Sequence, residues 1–97
     1  MEEFMAYKIS HDIDITEDNG YQVLHRYSDD TYFSLQKDYL FILLSYNGLN
    51  NLNDIAKVFS NHKGISINCS LEYVEKVQNY FISERIIFKD ENKNHSY

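Results

Sequence analysis

The sequence lacks proline and tryptophan, and it has only one cysteine and three glycines among 97 residues. One cysteine, Cys69, cannot form an internal disulfide, so a reducing cytoplasm is the expected location. The scattered glycines exclude a glycine-rich phosphate loop. No apolar run reaches the ~20 residues of a membrane-spanning helix. The acidic opening "MEEFMAYK" does not resemble a secretory signal. We therefore expect no membrane association.

Positive charge is also scarce, because nine Lys and Arg residues face fifteen Asp and Glu residues, for a net charge of -6. Proteins that bind nucleic acid usually present a basic face, so nucleic acid is disfavoured as a partner. Aromatic residues are abundant, with nine tyrosines and six phenylalanines, and tyrosine is enriched at binding surfaces. The length fits one domain with a modest core.

Three short segments near the beginning of the chain predict a three-stranded antiparallel meander. The segment "KISHDIDIT" alternates, with Ile9, His11, Ile13 and Ile15 on one side, as in a half-buried strand. The turn signal "EDNG" separates it from the second strand, "YQVLHRY". A further turn, "SDD", precedes the third strand, "TYFSL".

The rest of the chain predicts three helices. The first covers about residues 36–46 and ends at Asn47-Gly48. The second, "LNDIAKVFS", has one apolar face and a cap from Asn50, Asn51 or Asn53. After a polar loop, "NHKGISINC", the third begins behind Ser70 as N-cap and runs to about Glu84.

These elements together predict an α+β fold, a winged helix-turn-helix with a three-stranded antiparallel sheet followed by three helices. "RIIF" is a candidate for a short last strand. Residues 1–6 form an N-terminal extension in this interpretation, residues 7–88 the domain, and residues 89–97 a disordered tail.

The sequence shows no pattern for catalysis or metal binding. None of the four histidines lies at a metal-ligand spacing from another histidine or from Cys69. Asp12 and Asp14 share a face that we expect to be solvated, whereas acid–base chemistry needs a pocket. We expect His11 and His25 to be partly buried and hydrogen-bonded. The interpretation is therefore a non-enzyme with no metal and no cofactor.

The third helix is more apolar than a single packing contact requires. Its apolar arc, centred on Val74, Val77 and Phe81, spans about 200°. One explanation is that the helix is wedged between the first two helices. The other is that one flank lines a groove beside the third strand. If that strand lies at a sheet edge, an extended peptide can pair with it and place its side chains in the groove.

The stretch "YFSLQKDYLFILLSYNGLNNLNDIAKVFS" resembles the PqqD-like family, the RiPP recognition elements. The family's apolar spacing matches at Phe33, Leu35 and Ile42 in the first part and at Leu52, Ile55 and Phe59 in the second. "LEYVEKVQNYFISERII" matches the family's third-helix pattern. The likeness covers about residues 7–88. Arg85 departs from it, since many members have a small residue or Gly there.

The resemblance implies a cytoplasmic, non-catalytic module that binds the leader of a ribosomally made precursor peptide by β-augmentation and presents it to a modifying enzyme. That enzyme would be a radical SAM maturase, a cyclodehydratase or a leader peptidase. Carried over from the family, the peptide-binding positions are Thr31, Tyr32, Phe33, Ser34, Leu35, Val74, Val77, Gln78 and Phe81. Tyr73, Tyr80, Lys37 and Arg85 are rim positions. Arg26 and Lys76 are further charges that could meet an acidic leader.

Two other functions stay open on the sequence alone. One is a winged-helix DNA-binding regulator, which the acidic balance disfavours. The other is a structural subunit whose groove docks on a partner protein. A homodimer through the uncovered edge strand is a further expectation.

Overall fold

The computed structural model describes residues 6–89, which form five strands and three helices. The order confirms the predicted α+β fold, with a three-stranded antiparallel sheet followed by three helices. Ala6 is buried and Lys89 lies in the last strand, so structure extends one residue beyond each end of the predicted domain. The rest of the predicted extension and tail lies outside the described residues. The elements are β1 Tyr7–Ile9, β2 Ile13–Asp18, β3 Tyr21–Arg26, β4 Thr31–Leu35, α1 Lys37–Leu43, α2 Leu52–Lys63, α3 Ile67–Ser83 and β5 Ile87–Lys89.

The predicted first strand is in fact two strands that belong to different sheets. β1 pairs with β5, and β2 pairs with β3. The chain turns between them, where the Ile13 amide donates to the Ser10 carbonyl at 3.2 Å. His11 lies in this turn and is exposed, so its expected burial is wrong, and its ring stacks on Phe88 instead. The alternation of apolar and polar residues could not reveal this turn, because the apolar residues of β1 and β2 continue the same two-residue period across it.

The two hairpins of the larger sheet follow the turn signals in the sequence. β2 and β3 are joined by Asn19-Gly20, with φ of 55° and 84°. Positive φ at both residues is the hairpin geometry that Asn-Gly favours. The sheet order is β2-β3-β4, so β4 is an edge strand, as expected.

The helix bounds differ from the prediction at several ends. α1 stops at Leu43, earlier than expected. α2 begins with a capping box between Asn51 and Asp54 and extends three residues into the predicted loop, to Lys63. α3 is capped by Ser66 and not by Ser70. The predicted loop, residues 61–69, is confirmed only at residues 64–66. Its length was overestimated because residues 61–69 are all exposed, and solvated helical turns have a loop-like composition.

One face of helix α3 packs into the core. The hydroxyl of Ser70 donates to the Ala56 carbonyl of α2 at 2.6 Å, which satisfies a buried polar group. The core combines side chains from the sheet, all three helices and the start of β5, namely Leu24, Ile42, Leu43, Tyr46, Ile55, Ala56, Phe59, Val74, Val77, Phe81, Ile86 and Ile87. Within residues 6–89, no helix has the length and apolar character to cross a bilayer.

Arg85 ends α3 in a left-handed conformation, with φ of 59°. The Ile86 amide donates to the Phe81 carbonyl at 2.9 Å, and the Arg85 amide donates to the Ile82 carbonyl at 3.0 Å. These two bonds form a Schellman motif with Arg85 at the position that usually holds Gly. These two bonds define where α3 ends.

Candidate functional site

The outer edge of β4 exposes backbone groups of two residues. The direction of these groups follows from the neighbouring strand β3. Just after β3, the Tyr27 amide donates toward β2, to the Asp12 carbonyl, so the residue before it, Arg26, directs its backbone groups toward β4. Because backbone groups alternate in direction along an antiparallel strand, the register of β3 with β4 directs Thr31, Phe33 and Leu35 toward β3. Tyr32 and Ser34 then direct their N–H and C=O groups outward. No described strand pairs with this side of β4, so these groups can bind an additional strand.

Side chains alternate along the same strand. Tyr32 and Ser34 are exposed on the outer face, whereas Thr31, Phe33 and Leu35 are half-buried. Phe33 and Leu35 pack against the core. A strand added beside β4 would therefore place every second side chain on the inner, helix-facing side and the others on the outer side.

Three predicted contact residues on α3 belong to the core. Val74, Val77 and Phe81 are 0% exposed, so a peptide lying on the surface does not touch them. The prediction that these three side chains form the floor of the groove is therefore wrong. The central stripe of the apolar arc of α3 therefore packs into the core, whereas its flanks stay partly exposed, at Tyr80 (36%) and Ile82 (37%). Val74, Val77 and Phe81 support the site only from beneath.

A row of partly exposed tyrosines joins α1 to α3. Tyr39, in the first turn of α1, meets the rings of Tyr73 and Tyr80 with centroids 6.4 and 5.8 Å apart. Tyr80 is 36% exposed and Tyr73 is half-buried. Burial, together with the Asp38 carboxylate for Tyr73 and the Glu84 carboxylate for Tyr80, raises the pKa of both phenols, so both stay neutral donors. Sequence reasoning missed Tyr39, although it comes four residues after Leu35.

Gln78 supports the core through a hydrogen bond. Its Oε1 accepts from the hydroxyl of Tyr46 at 3.2 Å. Tyr46 is buried, and this burial raises its pKa. The bond satisfies a phenol that would otherwise be buried without a partner. A peptide role for Gln78 stays a prediction.

Arg26 joins β3, the β3–β4 turn and the end of α3. Its Nε and Nη2 donate to the two carboxylate oxygens of Asp29 at 3.0 and 3.1 Å, and its Nη1 donates to the Glu84 carbonyl. The side chain is buried, so the prediction that Arg26 meets an acidic leader is wrong. It fixes the end of α3 relative to the sheet.

The ion pair between Arg26 and Asp29 also shifts the pKa of both groups. Hydrogen bonds from Arg26 and then Thr31 lower the pKa of Asp29 to about 2. The bond to Asp29 raises the pKa of Arg26 against the opposing effect of burial. Both groups therefore stay charged at neutral pH.

The predicted rim cations are on the surface. Lys37 and Lys76 are exposed, and so is Arg85 at the end of α3. They are accessible to a charged partner, whereas the carboxylates of Asp38 and Glu84 lie next to the tyrosine row. The prediction that these cations bind a leader stays a prediction.

An open cleft of about 290 Å³ lies beside Tyr73, between α1, α2 and the start of α3. Lys63 and Asp38 form an ion pair across 3.3 Å on its wall. Sequence reasoning missed this cleft because its residues come from three separate elements. Its lining is Asp38, Phe59, Lys63, Ile65, Cys69 and Tyr73. Across residues 6–89, no group of three or more His, Cys, Asp and Glu side chains is arranged to hold a metal ion.

Comparison with known proteins shows the fold. No protein-family model matches the chain, and no curated protein matches it in sequence. The structure of TbiB1 in complex with the TbiA(beta) leader peptide is similar, with a TM-score of 0.71 at 12% sequence identity. The match covers 93% of this chain and 99% of that one. The chain therefore has the fold of a protein whose structure contains a bound leader peptide.

Proposed function

We propose that this chain is a non-catalytic, cytoplasmic module that binds the leader segment of a ribosomally synthesised precursor peptide. The leader adds to the sheet as a strand beside β4, and the module presents the rest of the precursor to a modifying enzyme. The observation that carries the proposal is the open edge of β4, where Tyr32 and Ser34 direct backbone groups outward. The fold shared with the leader-bound TbiB1 structure supports it.

The proposed contacts follow from this edge. The backbones of Tyr32 and Ser34 hold the guest strand, as in β-augmentation. On the inner side, guest side chains meet Phe33 and Leu35 on the strand and the tyrosine row of Tyr39, Tyr73 and Tyr80. Arg26 and Glu84 keep this helix end in place, so the site is largely formed before the peptide arrives.

The partner enzyme is proposed by class only. A radical SAM maturase, a cyclodehydratase or a leader peptidase would act on the precursor that the module holds. Isothermal titration with precursors encoded beside the gene for this chain tests leader binding. The full precursor and its leader alone should bind with similar affinity, whereas the core segment alone should not bind. Equal binding of the core segment, or no binding of any precursor, would contradict the proposal.

The DNA-binding alternative has little support on α3. The outward residues of this helix include Glu72, Glu75 and Lys76, so the face that a winged helix would place on DNA is not basic. A mobility assay at low salt distinguishes the two functions, because phosphate contacts depend steeply on salt. A structural subunit would instead be recovered in a stable complex without any precursor.

A homodimer through β4 competes with the guest for the same backbone groups. Light scattering of the free chain and of the chain with leader distinguishes the two. Under the proposal, a dimer that uses β4 dissociates as the leader is added.

A further inference from the structure

The outer face of the sheet carries an aromatic cluster next to the β4 edge. The rings of His25 and Tyr32, which are cross-strand partners, stack with centroids 4.2 Å apart at 9°. The ring of Tyr27 meets His25 edge-on at 4.6 Å. Tyr32 remains 63% exposed. The proposed inner contacts do not involve this cluster.

Hydrogen bonds hold the cluster in place. His25 Nε2 lies 2.8 Å from Asp30 Oδ1, and the Tyr27 hydroxyl donates to Asp14 Oδ2 at 3.2 Å. His25 covers the side of Tyr32 toward β3, so the other side of the ring faces the open edge. Tyr32 is therefore held as a flat platform beside the position of the proposed guest strand.

We propose that this platform is a second subsite, which takes an arginine side chain of the bound peptide. The inference rests on the proposed function and adds a sequence preference to it. The guest residue paired with Tyr32 points to the same outer face, with Cβ atoms about 5 Å from those of its partner. Its side chain therefore lies against the open side of the Tyr32 ring.

Charge selects arginine for this position. Asp30 comes just before β4 and lies 2.8 Å from His25 Nε2, and β2 carries Asp14 and Asp18 on the same face, two strands away from β4. The basic residue in strands β2, β3 and β4 apart from His25 is Arg26, which is on the inner face and buried. An anionic guest side chain would be repelled here. A guanidinium stacks on an aromatic face and is attracted by the Asp30 carboxylate, which is held beside the His25–Tyr32 pair.

Selection of short random peptides displayed on phage against the intact chain tests the preference. Binders that perturb the amide signals of Tyr32 and Ser34 are kept, and cross-strand contacts measured by NMR identify the residue paired with Tyr32. We expect arginine to be enriched there. Replacing that arginine by glutamine should weaken binding about 2- to 5-fold. In Tyr32→Ser the same replacement should have almost no effect, whereas Tyr32→Phe should keep the preference.

Tyr21→Ser is the matched control. Tyr21 is 71% exposed and lies on the same face, but its β3 position lies beyond the end of the β4 pairing. The Tyr21→Ser variant should keep the arginine preference of the wild-type chain. No arginine enrichment, or an equal effect of the glutamine replacement in wild type and Tyr32→Ser, would overturn the subsite alone. If neither selected peptides nor precursors perturb the amides of Tyr32 and Ser34, the proposed function fails, and the subsite fails with it.

Discussion

The guanidinium carbon of Arg26 lies 5.2 Å from the centre of the Phe33 ring. The cation that fixes the end of α3 therefore also stacks on the middle residue of the edge strand. Phe33 contributes to the proposed inner contacts, so Arg26 holds both walls of the candidate site in one arrangement. A cation over an aromatic face is stabilising by about 0.5–2 kcal/mol, depending on how far it is desolvated.

Arg26→Ala should lower the free energy of unfolding by about 2–3 kcal/mol, because it removes charged hydrogen bonds and a packed side chain. Arg26→Lys should recover only part of the loss, since an ammonium cannot form the two-pronged contact with Asp29. Urea unfolding measures both. Exposed Lys76→Ala is the control and should change stability by less than about 0.5 kcal/mol. A similarly small effect for Arg26→Ala would contradict the anchoring role.

Asp29 should make stability depend on acid. Its folded pKa, about 2, lies below the ordinary value of 3.8. The stabilisation is therefore fully present above about pH 4 and is lost as pH falls through 2. In Asp29→Asn, the contribution of this group between pH 4 and 2 should be missing, so the melting temperature should fall less over that range than in wild type. Parallel curves for the two chains would contradict the assignment.

Val77→Asp should unfold the chain, because it places a charge at a fully buried position. Ile82→Asp is a matched control on the same helix, since Ile82 is 37% exposed and the charge can stay hydrated. Circular dichroism and amide NMR spectra distinguish the two. A folded Val77→Asp variant that fails to bind peptide would instead restore Val77 to the floor of the groove.

Arg85→Gly should stabilise the chain by about 0.5–1 kcal/mol. Arg85 adopts a left-handed conformation that costs a side chain roughly 1 kcal/mol, and Gly adopts it without that cost. Arg85→Ala should not show the gain, because alanine also has a Cβ. Thermal unfolding compares the three chains. A gain for alanine equal to that for glycine would show that strain at this position is not the cause.

The sequence predicted the elements better than it predicted the contacts of α3. Asn19-Gly20 and the alternation of "TYFSL" are local signals, and both gave the correct hairpin and edge strand. The role of Val77 could not be predicted, because an apolar arc has the same composition whether it faces a groove or a neighbouring helix. Arg26 looked like a free surface charge, because Asp29 meets it only when the β3–β4 turn has formed and Glu84 is 58 residues away in the sequence. Ser66 and Ser70 are both suitable N-cap residues for α3, so residue type alone could not show that Ser66 is the cap.

Ser34→Pro tests the edge without disturbing the sheet. The Ser34 N–H points outward, so proline there removes a guest hydrogen bond but none to β3, and proline is tolerated on edge strands. The chain should stay folded and lose leader binding at least about 5-fold, the equivalent of one net hydrogen bond. Phe33→Pro is the contrasting variant and should disrupt the sheet, because the Phe33 N–H points to β3. Full binding by a folded Ser34→Pro chain would argue against strand addition.

Amide hydrogen exchange with and without a cognate leader tests the central claim most directly. The free chain should already protect the amides of Thr31, Phe33 and Leu35, which bond to β3, while those of Tyr32 and Ser34 exchange quickly. Leader binding should slow exchange at Tyr32 and Ser34 selectively. A leader that binds tightly but leaves these two amides exchanging at the free rate would contradict strand addition at β4.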